Sequence, residues 1–314
     1  MIYTVTLNPA IDETLEVETL VPGGTHRVLS RCRYPGGKGL NAARALSVFA
    51  EDCTALLTAG GPTGEELAGL LRREALPCRV YPVPQPTRVN LKITAHNDGL
   101  TTELNAPGRL GDPHAALQLQ QELLELLLPG DCVVLCGSLP QDLPGSWYRD
   151  CIAACRHKGA KVFLDTAGEA LALGITAQPD CIKPNREELQ LLFGYRLSAP
   201  ETVAESAWQL LNRGIPQVAV SLGAEGALLA TRKTVLYAAA PPVTAANTTG
   251  AGDTMTAALV YAQLHGLSPE ETLRFAVAAA TAKVVRRGTS PPVMSDIQAL
   301  LPRITIKEIG RAHV

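Results

Sequence analysis

The residues best suited to chemistry lie in the segment Asn247–Asp253, where small residues precede an acid. Gly250, Ala251 and Gly252 leave their backbone uncovered, and the small-residue run that follows predicts the start of a helix. Backbone N–H groups at a helix N-terminus bind anions, and the helix dipole strengthens them. An acid beside such a site would repel a phosphate, so its presence there indicates a separate chemical role. Asp253 can take a proton from a hydroxyl while the N–H groups hold the phosphoryl group which that hydroxyl attacks. A glycine turn with Asp253 as an ordinary helix acid explains this segment equally well.

A second glycine-rich segment, Pro35–Asn41, precedes another predicted helix. Its spacing is not that of a Walker A loop. Its three glycines let backbone approach a ligand closely, and Lys38 and Asn41 supply polar contacts. Taken alone, the segment is equally consistent with a tight turn before a helix.

The size and composition indicate one large enzyme-sized domain. A chain of 314 residues, 46% of them hydrophobic, is near the upper limit of a single core, so we expect one domain over residues 1–306. The formal net charge is −2 and no basic block occurs, which argues against nucleic-acid binding. Eight scattered cysteines predict buried free thiols, and no apolar run reaches the roughly 18 residues of a membrane span. We therefore expect a cytoplasmic protein without membrane contact.

Strand-like apolar runs alternate with helical patterns along most of the chain, which predicts an α/β fold. Its mostly parallel sheet should be flanked by helices on both faces, with ligands at the carboxyl ends of the strands. Two segments, at about residues 12–34 and 87–107, break the alternation with patterns of period two. They predict a small β-sheet lid over the ligand edge, or alternatively an edge extension of the main sheet. Residues 307–314 lack periodicity and are predicted to form a disordered tail.

The two glycine-rich segments together resemble the two signatures of the ribokinase-like, PfkB-type carbohydrate kinases. Their order and separation fit, and the resemblance covers essentially residues 1–306. Further local matches resemble the phosphosugar branch of that family, which includes 1-phosphofructokinases and tagatose-6-phosphate kinases. These matches are Thr6–Asp12, Arg88–Lys92, Gly137–Pro140, Lys183–Glu188 and Ser221–Ala227.

The resemblance implies a ribokinase-like fold and an ATP-dependent kinase that uses magnesium. It implies that Asp253 is the catalytic base and that the N–H groups of Gly250, Ala251 and Gly252 form the anion hole for the transferred phosphoryl group. The expected reaction converts fructose 1-phosphate and ATP to fructose 1,6-bisphosphate and ADP. The alternatives are a tagatose-6-phosphate kinase, a kinase of nucleosides or unphosphorylated sugars, and a non-catalytic sugar-phosphate sensor on the same fold.

The resemblance also implies how the sugar phosphate is held. Asp12, Gly37 and Asn41 would contact the sugar, with Asp253 at the acceptor hydroxyl. The substrate phosphate needs cations, which Arg and Lys side chains supply. The candidates are Lys38, Arg88 and Lys92, with Asn90 and Ser138 as neutral donors and Asn105 and Arg109 as weaker candidates.

The resemblance implies that the residues which bind the nucleotide and its magnesium ion come from four segments of the chain. Asn185 and Glu188 would help to position the magnesium ion, with water molecules between the ion and the side chains. A helix N-cap followed by an acid in the first turn is the alternative interpretation of this pair. The adenine is expected beside the two C-terminal helices, near Ala279, Ala280 and Lys283. The nucleotide-binding set is Lys183, Asn185, Ser221, Gly223, Ala224, Glu225, Gly226, Thr249 and Gly252.

Two further expectations concern ions and assembly. Gly288-Thr289-Ser290 resembles a region near the family's monovalent-cation site, where we assign no ligands. The resemblance also implies a homodimer that pairs through the projecting lid.

Overall fold

The computed structural model describes residues 1–286 and 288–311, which form two β-sheets and the helices around them. Most strands of the larger sheet are short apolar runs that are buried on both faces, as expected for a covered parallel sheet, whereas the edge strand Cys78–Pro82 is largely exposed. The strands are β1 (Ile2–Thr6), β2 (Ala10–Val17), β3 (Val28–Gly36), β4 (Cys53–Ala59), β5 (Cys78–Pro82), β6 (Arg88–Ala95), β7 (Thr101–Leu104), β8 (Cys132–Cys136), β9 (Lys161–Asp165), β10 (Cys181–Ile182), β11 (Gln217–Ser221), β12 (Ala227–Thr231), β13 (Thr234–Ala238) and β14 (Ile306–Arg311).

The larger sheet has ten strands in the order β14-β13-β12-β11-β10-β9-β8-β1-β4-β5. The strands from β11 to β5 pair in parallel, and β12, β13 and β14 add an antiparallel edge. From β1 the chain builds outward through β4 and β5, then returns to the other side of β1 with β8. In open α/β sheets, ligands bind outside the carboxyl ends of the strands at such a reversal. The predicted α/β architecture is confirmed.

Helices cover both faces of this sheet and bury a hydrophobic core on each. One face packs against α1, α2, α8, α9 and α10, and the other against α3 to α7. Successive residues of a strand serve opposite cores: on β8, Val134 faces the first and Val133 the second. The helices are α1 (Lys38–Val48), α2 (Gly61–Arg73), α3 (His114–Leu126), α4 (Trp147–His157), α5 (Gly168–Ile175), α6 (Arg186–Phe193), α7 (Pro200–Asn212), α8 (Ala251–Leu264), α9 (Pro269–Val284) and α10 (Met294–Leu300).

The lid is a separate four-stranded sheet in the order β3-β2-β6-β7, so the edge-extension alternative is wrong. Strand β2 pairs antiparallel with β3 and parallel with β6, and β6 and β7 form an antiparallel hairpin. The register places Asp12 of β2 beside Asn90 of β6. The lid therefore brings two segments that are distant in sequence into side-by-side contact.

The C-terminal segment differs from the prediction of a disordered tail. Strand β14 pairs antiparallel with β13, so that prediction is wrong for residues 307–311, while residues 312–314 lie outside the described residues. The pairing satisfies backbone groups that β13 would otherwise leave open at the sheet edge, and Ile306 and Ile309 pack on the two cores. In the described part of the chain, every helix is too short or too polar to cross a bilayer.

Candidate active site

A cleft of about 1050 Å³ lies between the lid and the carboxyl ends of the parallel strands. Among the residues predicted to act in catalysis or to bind the sugar phosphate, the nucleotide phosphates or magnesium, all but Ser138 line it. The exposed Ser138 hydroxyl instead accepts a hydrogen bond from Asn8 Nδ2 at 3.0 Å. Of the weaker candidates, Asn105 lines the cleft and Arg109 does not. The fold thus gathers segments from both signatures and from four of the five local motifs around one cavity, while Gly137–Pro140 lies outside its lining.

The loop before α8 has the geometry of an anion site. Gly250 is the N-cap of this helix and has a φ of +82°, a left-handed conformation that favours glycine. Helix geometry leaves the first-turn N–H groups, including that of Gly252, without partners inside the helix. The N–H of Ala251 differs, because it donates to the carbonyl of Thr248 at 3.2 Å. Gly252 therefore presents a freer donor to the cleft than Ala251 does.

Asp253 lies in the first turn of α8 and is only 7% exposed. Its Oδ2 accepts a hydrogen bond from Asn41 Nδ2 at 2.8 Å, which fixes the carboxylate against α1. Burial and the nearby charge of Asp165 raise the pKa of Asp253 from 3.8 to about 6, while Lys38 and Asn41 oppose the shift. A carboxylate with this pKa is a competent general base near neutral pH.

Asp165, at the carboxyl end of β9, is fully buried and holds two lysines at the cleft floor. Its carboxylate lies 2.9 Å from Lys38 Nζ and 3.2 Å from Lys183 Nζ, and it accepts a hydrogen bond from Thr256 Oγ1 at 2.8 Å. Burial alone would raise the pKa of Asp165, but the two ammonium groups outweigh it and hold the pKa at about 2. Asp165 is therefore an anion that fixes two cations beside Asp253.

The three predicted phosphate-binding cations have different partners. Lys38 donates to Asp165 Oδ1 and lies 3.5 Å from Glu188 Oε1. Lys92 is buried in the lid and donates to Thr249 Oγ1 at 3.0 Å. The structure therefore sets Lys38 apart from the lid cations with which the prediction grouped it.

Arg88, the third cation, donates through Nη1 to the carbonyl of Ala106 at 2.8 Å and through Nη2 to that of Asn8 at 3.0 Å. Asn8 in turn donates to Ser138, so Arg88 and Ser138 are joined through one residue. The guanidinium is thereby fixed at the cleft wall. Its remaining Nε is buried without a hydrogen-bond partner among the described residues.

Asp12 occupies the centre of the lid face. Its Oδ1 accepts from Asn90 Nδ2 at 3.0 Å and its Oδ2 lies 3.4 Å from Lys92 Nζ. Strand β3 passes so close that a Cβ on Gly36 would lie 2.6 Å from the carboxylate carbon of Asp12. The glycine of the first signature thus makes room for an acid of the neighbouring strand.

The opposite end of the cleft carries the predicted nucleotide residues. Asn185 caps α6: its Oδ1 accepts from Glu188 N at 2.7 Å, and Glu188 Oε2 accepts from Asn185 N at 2.9 Å. The N-cap alternative for this pair is therefore present in the structure. Across the strand end, Arg186 holds Glu225 with two hydrogen bonds of 2.8 and 2.7 Å. This bridge anchors the loop that also contains Ser221, Gly223, Ala224 and Gly226.

An apolar wall faces this loop. Of the adenine-pocket residues that we predicted, Ala280 lines the cleft, whereas Ala279 and Lys283 are buried behind it. Other residues that line the cleft include Ala240, Pro241, Pro242, Val243, Ala245, Val277, Thr281 and Val284.

The sequence profile of the pfkB family carbohydrate kinases matches residues 5–296. The chain belongs to the pfkB family. It is 36% identical to the 1-phosphofructokinase of Bacillus subtilis (strain 168) over 98% of this chain and 100% of that protein. Phosphofructokinase-2 from Escherichia coli, solved in complex with potassium, superposes with a TM-score of 0.90 at 32% identity, covering 96% of this chain and 98% of that one. A ribokinase from Thermotoga maritima superposes with a TM-score of 0.74 at 25% identity over 96% and 99% of the two chains. The ribokinase-like fold and carbohydrate-kinase membership that the sequence predicted are confirmed.

Two features of this pfkB kinase escaped the sequence analysis. Asp165 carried one available signal, an acid directly after the buried strand residues Val162–Leu164 at the ligand-binding edge. Glu103 of the lid accepts from Thr249 Oγ1 at 3.3 Å and so connects the lid to the anion loop. No sequence pattern indicates that contact, because it depends on how the lid folds back over the cleft.

Proposed function

We propose that this pfkB kinase transfers the γ-phosphoryl group of ATP to the 6-hydroxyl of fructose 1-phosphate, giving fructose 1,6-bisphosphate and ADP. The observation that carries the proposal is a buried carboxylate, Asp253, with its pKa raised to about 6 at the N-terminus of α8. A protein that only bound sugar phosphates would not need a base at an anion site. The 1-phosphofructokinase relative supports the choice of substrate.

In the proposed mechanism, Asp253 accepts the proton of the 6-hydroxyl as the hydroxyl oxygen attacks the γ-phosphorus. The new O–P bond forms while the bond to the oxygen that bridges the β- and γ-phosphorus atoms breaks, and ADP leaves with that bonding pair. The N–H groups of Gly250 and Gly252 would face the charge on the transferred group, and that of Ala251 would join them by sharing its hydrogen bond to the Thr248 carbonyl. Lys38, fixed by Asp165, supplies a cation beside the path of transfer.

The sugar phosphate is proposed to bind along the lid face. Asp12 can accept hydrogen bonds from sugar hydroxyls, and Asn41 Oδ1 is buried without a partner among the described residues, so it has a free acceptor. Gly37 lets the sugar approach the start of α1. The 1-phosphate is proposed to lie near Arg88, Lys92 and Asn90, with Ser138 at the rim, while Lys38 reaches the site from its nucleotide side.

The nucleotide end fits ATP with magnesium. Glu188 uses one carboxylate oxygen for the α6 cap, and its Oε1 faces Lys38 at the cleft. The described residues contain no cluster of three metal-ligating side chains, so magnesium would depend mostly on phosphate and water ligands beside Asn185 and Glu188. When bound, magnesium would neutralise phosphate charge. Lys183, Thr249 and the loop from Ser221 to Gly226 would hold the nucleotide.

The monovalent cation, the assembly and the location complete the proposal. We assign no ligands to a monovalent cation, because Lys283 Nζ already donates to Gly288 O at 3.0 Å in the region where one was expected. Exposed apolar side chains on the lid, including Val28, Leu29 and Leu104, support a homodimer that pairs through it. Light scattering on the purified protein tests the dimer, which a monomer at micromolar concentration would contradict. The eight free thiols support a cytoplasmic location.

The substrate proposal is tested by coupled ADP release from ATP and magnesium with four acceptors: fructose 1-phosphate, tagatose 6-phosphate, fructose 6-phosphate and free fructose. We expect the highest kcat/KM for fructose 1-phosphate. A lead for either of the other phosphosugars would keep the kinase chemistry and overturn the substrate. A lead for free fructose would contradict the role of the lid cations, and silence with all four would favour the sugar-phosphate sensor, which the matched relatives do not favour.

A further inference from the structure

Lys283 lies directly behind the anion loop, although it does not line the cleft. It comes from the last turn of α9 and is 2% exposed. A Cβ on Gly250 would lie 3.4 Å from Lys283 Cε, so the lysine side chain runs beneath the N-cap of α8. Its Nζ continues past this point and donates to Gly288 O at 3.0 Å. The side chain therefore connects the anion loop to the segment that follows α9.

The charge environment of Lys283 is unfavourable for an ammonium group. Arg44 of α1, Lys92 of the lid and Arg286 add positive charge around it, and Asp253 of α8 adds the opposing negative charge. Among the described residues, no carboxylate lies within ion-pair distance of its Nζ. Burial, followed by these cations, lowers the pKa of Lys283 from 10.5 to about 8. A buried cation in a mainly cationic environment weakens the fold, so its presence here calls for a functional reason.

Contacts of neighbouring elements indicate what the lysine organises. The backbone N–H groups of Ala246 and Asn247 both donate to Val284 O, the residue after Lys283, so the segment before the anion loop docks on the end of α9. On the other side, Arg44 Nη1 donates to Thr289 Oγ1 at 3.3 Å, beside the Gly288 carbonyl that Lys283 holds. Lys283 is thus the buried charge at the junction of the anion loop, α9 and the segment after it.

We infer that Lys283 is a positioning residue of the anion hole, whose buried ammonium supports Gly250 from behind and supplies fixed positive charge to the site of phosphoryl transfer. The inference rests on the proposed kinase function. It assigns to a side chain of this protein the task that a bound monovalent cation could otherwise perform at this junction. The wild-type enzyme should therefore gain little activity from added potassium or ammonium ions.

The pH dependence follows from the two titrating groups. Asp253 must be deprotonated to act as base, so kcat/KM rises as pH increases through about 6. Lys283 must stay protonated, so activity falls as pH increases through about 8. The positive charges of Arg44, Lys92 and Arg286 add to burial in lowering the pKa of Lys283, and Asp253 opposes them. The two limbs together give a bell-shaped profile with its maximum near neutral pH.

The test compares Lys283→Met, which removes the charge at similar volume, with the wild type and with Lys158→Met, an exposed control at the end of α4. With ATP and fructose 1-phosphate, Lys283→Met should lose roughly 10- to 100-fold in kcat, with a smaller change in KM and without the alkaline limb near pH 8. In Lys283→Ala, where space is left, ammonium or potassium should restore part of kcat. The Lys158→Met variant should behave as wild type.

Three results distinguish a failure of the Lys283 inference from a failure of the proposed kinase function. An unchanged kcat and pH profile in Lys283→Met would overturn the inference. A lower kcat that keeps the alkaline limb and resists rescue by cations would show a merely structural lysine and overturn it equally. An inactive wild type would instead overturn the proposed function. Unfolding measurements supply a readout that is independent of activity: relative to Lys283→Met, the wild type should gain stability between about pH 8 and pH 10.5, because only the unfolded chain keeps the lysine proton there.

Discussion

Replacing Asp165 with asparagine should shift the acidic limb of the pH profile, although Asp165 touches no proposed substrate. Its negative charge is the second cause, after burial, of the raised pKa of Asp253. Asp165→Asn removes that charge at nearly constant volume. The loss of the neighbouring negative charge favours the ionised form of Asp253, so its pKa falls. The limb that lies near pH 6 in the wild type should therefore move to lower pH.

The structure sets an upper bound on how far the acidic limb can move. The pKa of Asp253 is raised from 3.8 to about 6, and burial remains in the variant, so the limb should move by about one unit and by less than the whole shift.

The substitution also changes the stability of the fold. The pKa of Asp165 in the fold is about 2, below its ordinary 3.8, so its ionised form contributes roughly 2 kcal/mol above pH 4 that is lost as pH falls through about 2. Because the substitution leaves Lys183 buried without its anion, we expect about 3 kcal/mol of destabilisation at pH 7.

The assay is kcat/KM for the phosphosugar from about pH 4.5 to pH 8, with each profile normalised to its own maximum. Asp180→Asn is the matched control, because Asp180 binds Lys161 and Val162 N at the opposite end of β9. It should leave the profile in place. A limb that stays near pH 6 in Asp165→Asn, or moves to higher pH, would refute the electrostatic reasoning. An equal shift in both variants would show that the effect is not specific to the cleft.

Three further experiments, which use four substitutions, test separate parts of the site. Gly36→Ala places a Cβ 2.6 Å from the carboxylate carbon of Asp12. It should reduce kcat/KM for the phosphosugar by about 10- to 100-fold in steady-state kinetics. An unchanged KM would contradict the assigned role of Asp12. Asn185→Ala and Ser268→Ala each remove a capping box and should each cost about 1 kcal/mol in denaturant unfolding, but only Asn185→Ala should raise the magnesium concentration needed for activity. Lys92→Met should raise KM for fructose 1-phosphate at least tenfold more than KM for ATP, and a uniform effect on both would place Lys92 outside the sugar-phosphate site.

The sequence allowed the architecture and the position of Asp253 to be predicted because both depend on local patterns. The lid follows from the period-two alternation at about residues 12–34 and 87–107, and the structure forms it from β3, β2, β6 and β7. Asp253 and its glycines are contiguous, so their place at a helix N-terminus needs no knowledge of the rest of the fold. The strand β14 was missed because its edge-strand sequence, with Lys307 and Glu308 beside two isoleucines, has neither a clear alternation nor an apolar run.

Side-chain partners were harder to predict than positions. Lys38 and Lys92 both line the cleft as expected, but the N-terminus of α1 directs Lys38 to Asp165, away from the lid. The guanidinium of Arg88 is fixed by two carbonyls of chain segments that sequence alone does not place beside it. Charges on separate elements become neighbours only through the tertiary fold. That is why Asp253 was predicted as a residue of the cleft but the neighbouring Asp165 was not.

The most direct test of the account is Asp253→Asn, measured both for turnover and for binding of ATP. The amide keeps the shape of the side chain but cannot accept the hydroxyl proton. We predict that kcat falls by several orders of magnitude while the Kd for ATP stays within about threefold, because the base acts on the acceptor rather than on the nucleotide. Near-normal turnover in this variant would contradict the assignment of Asp253 as the base, and with it the central claim about this cleft.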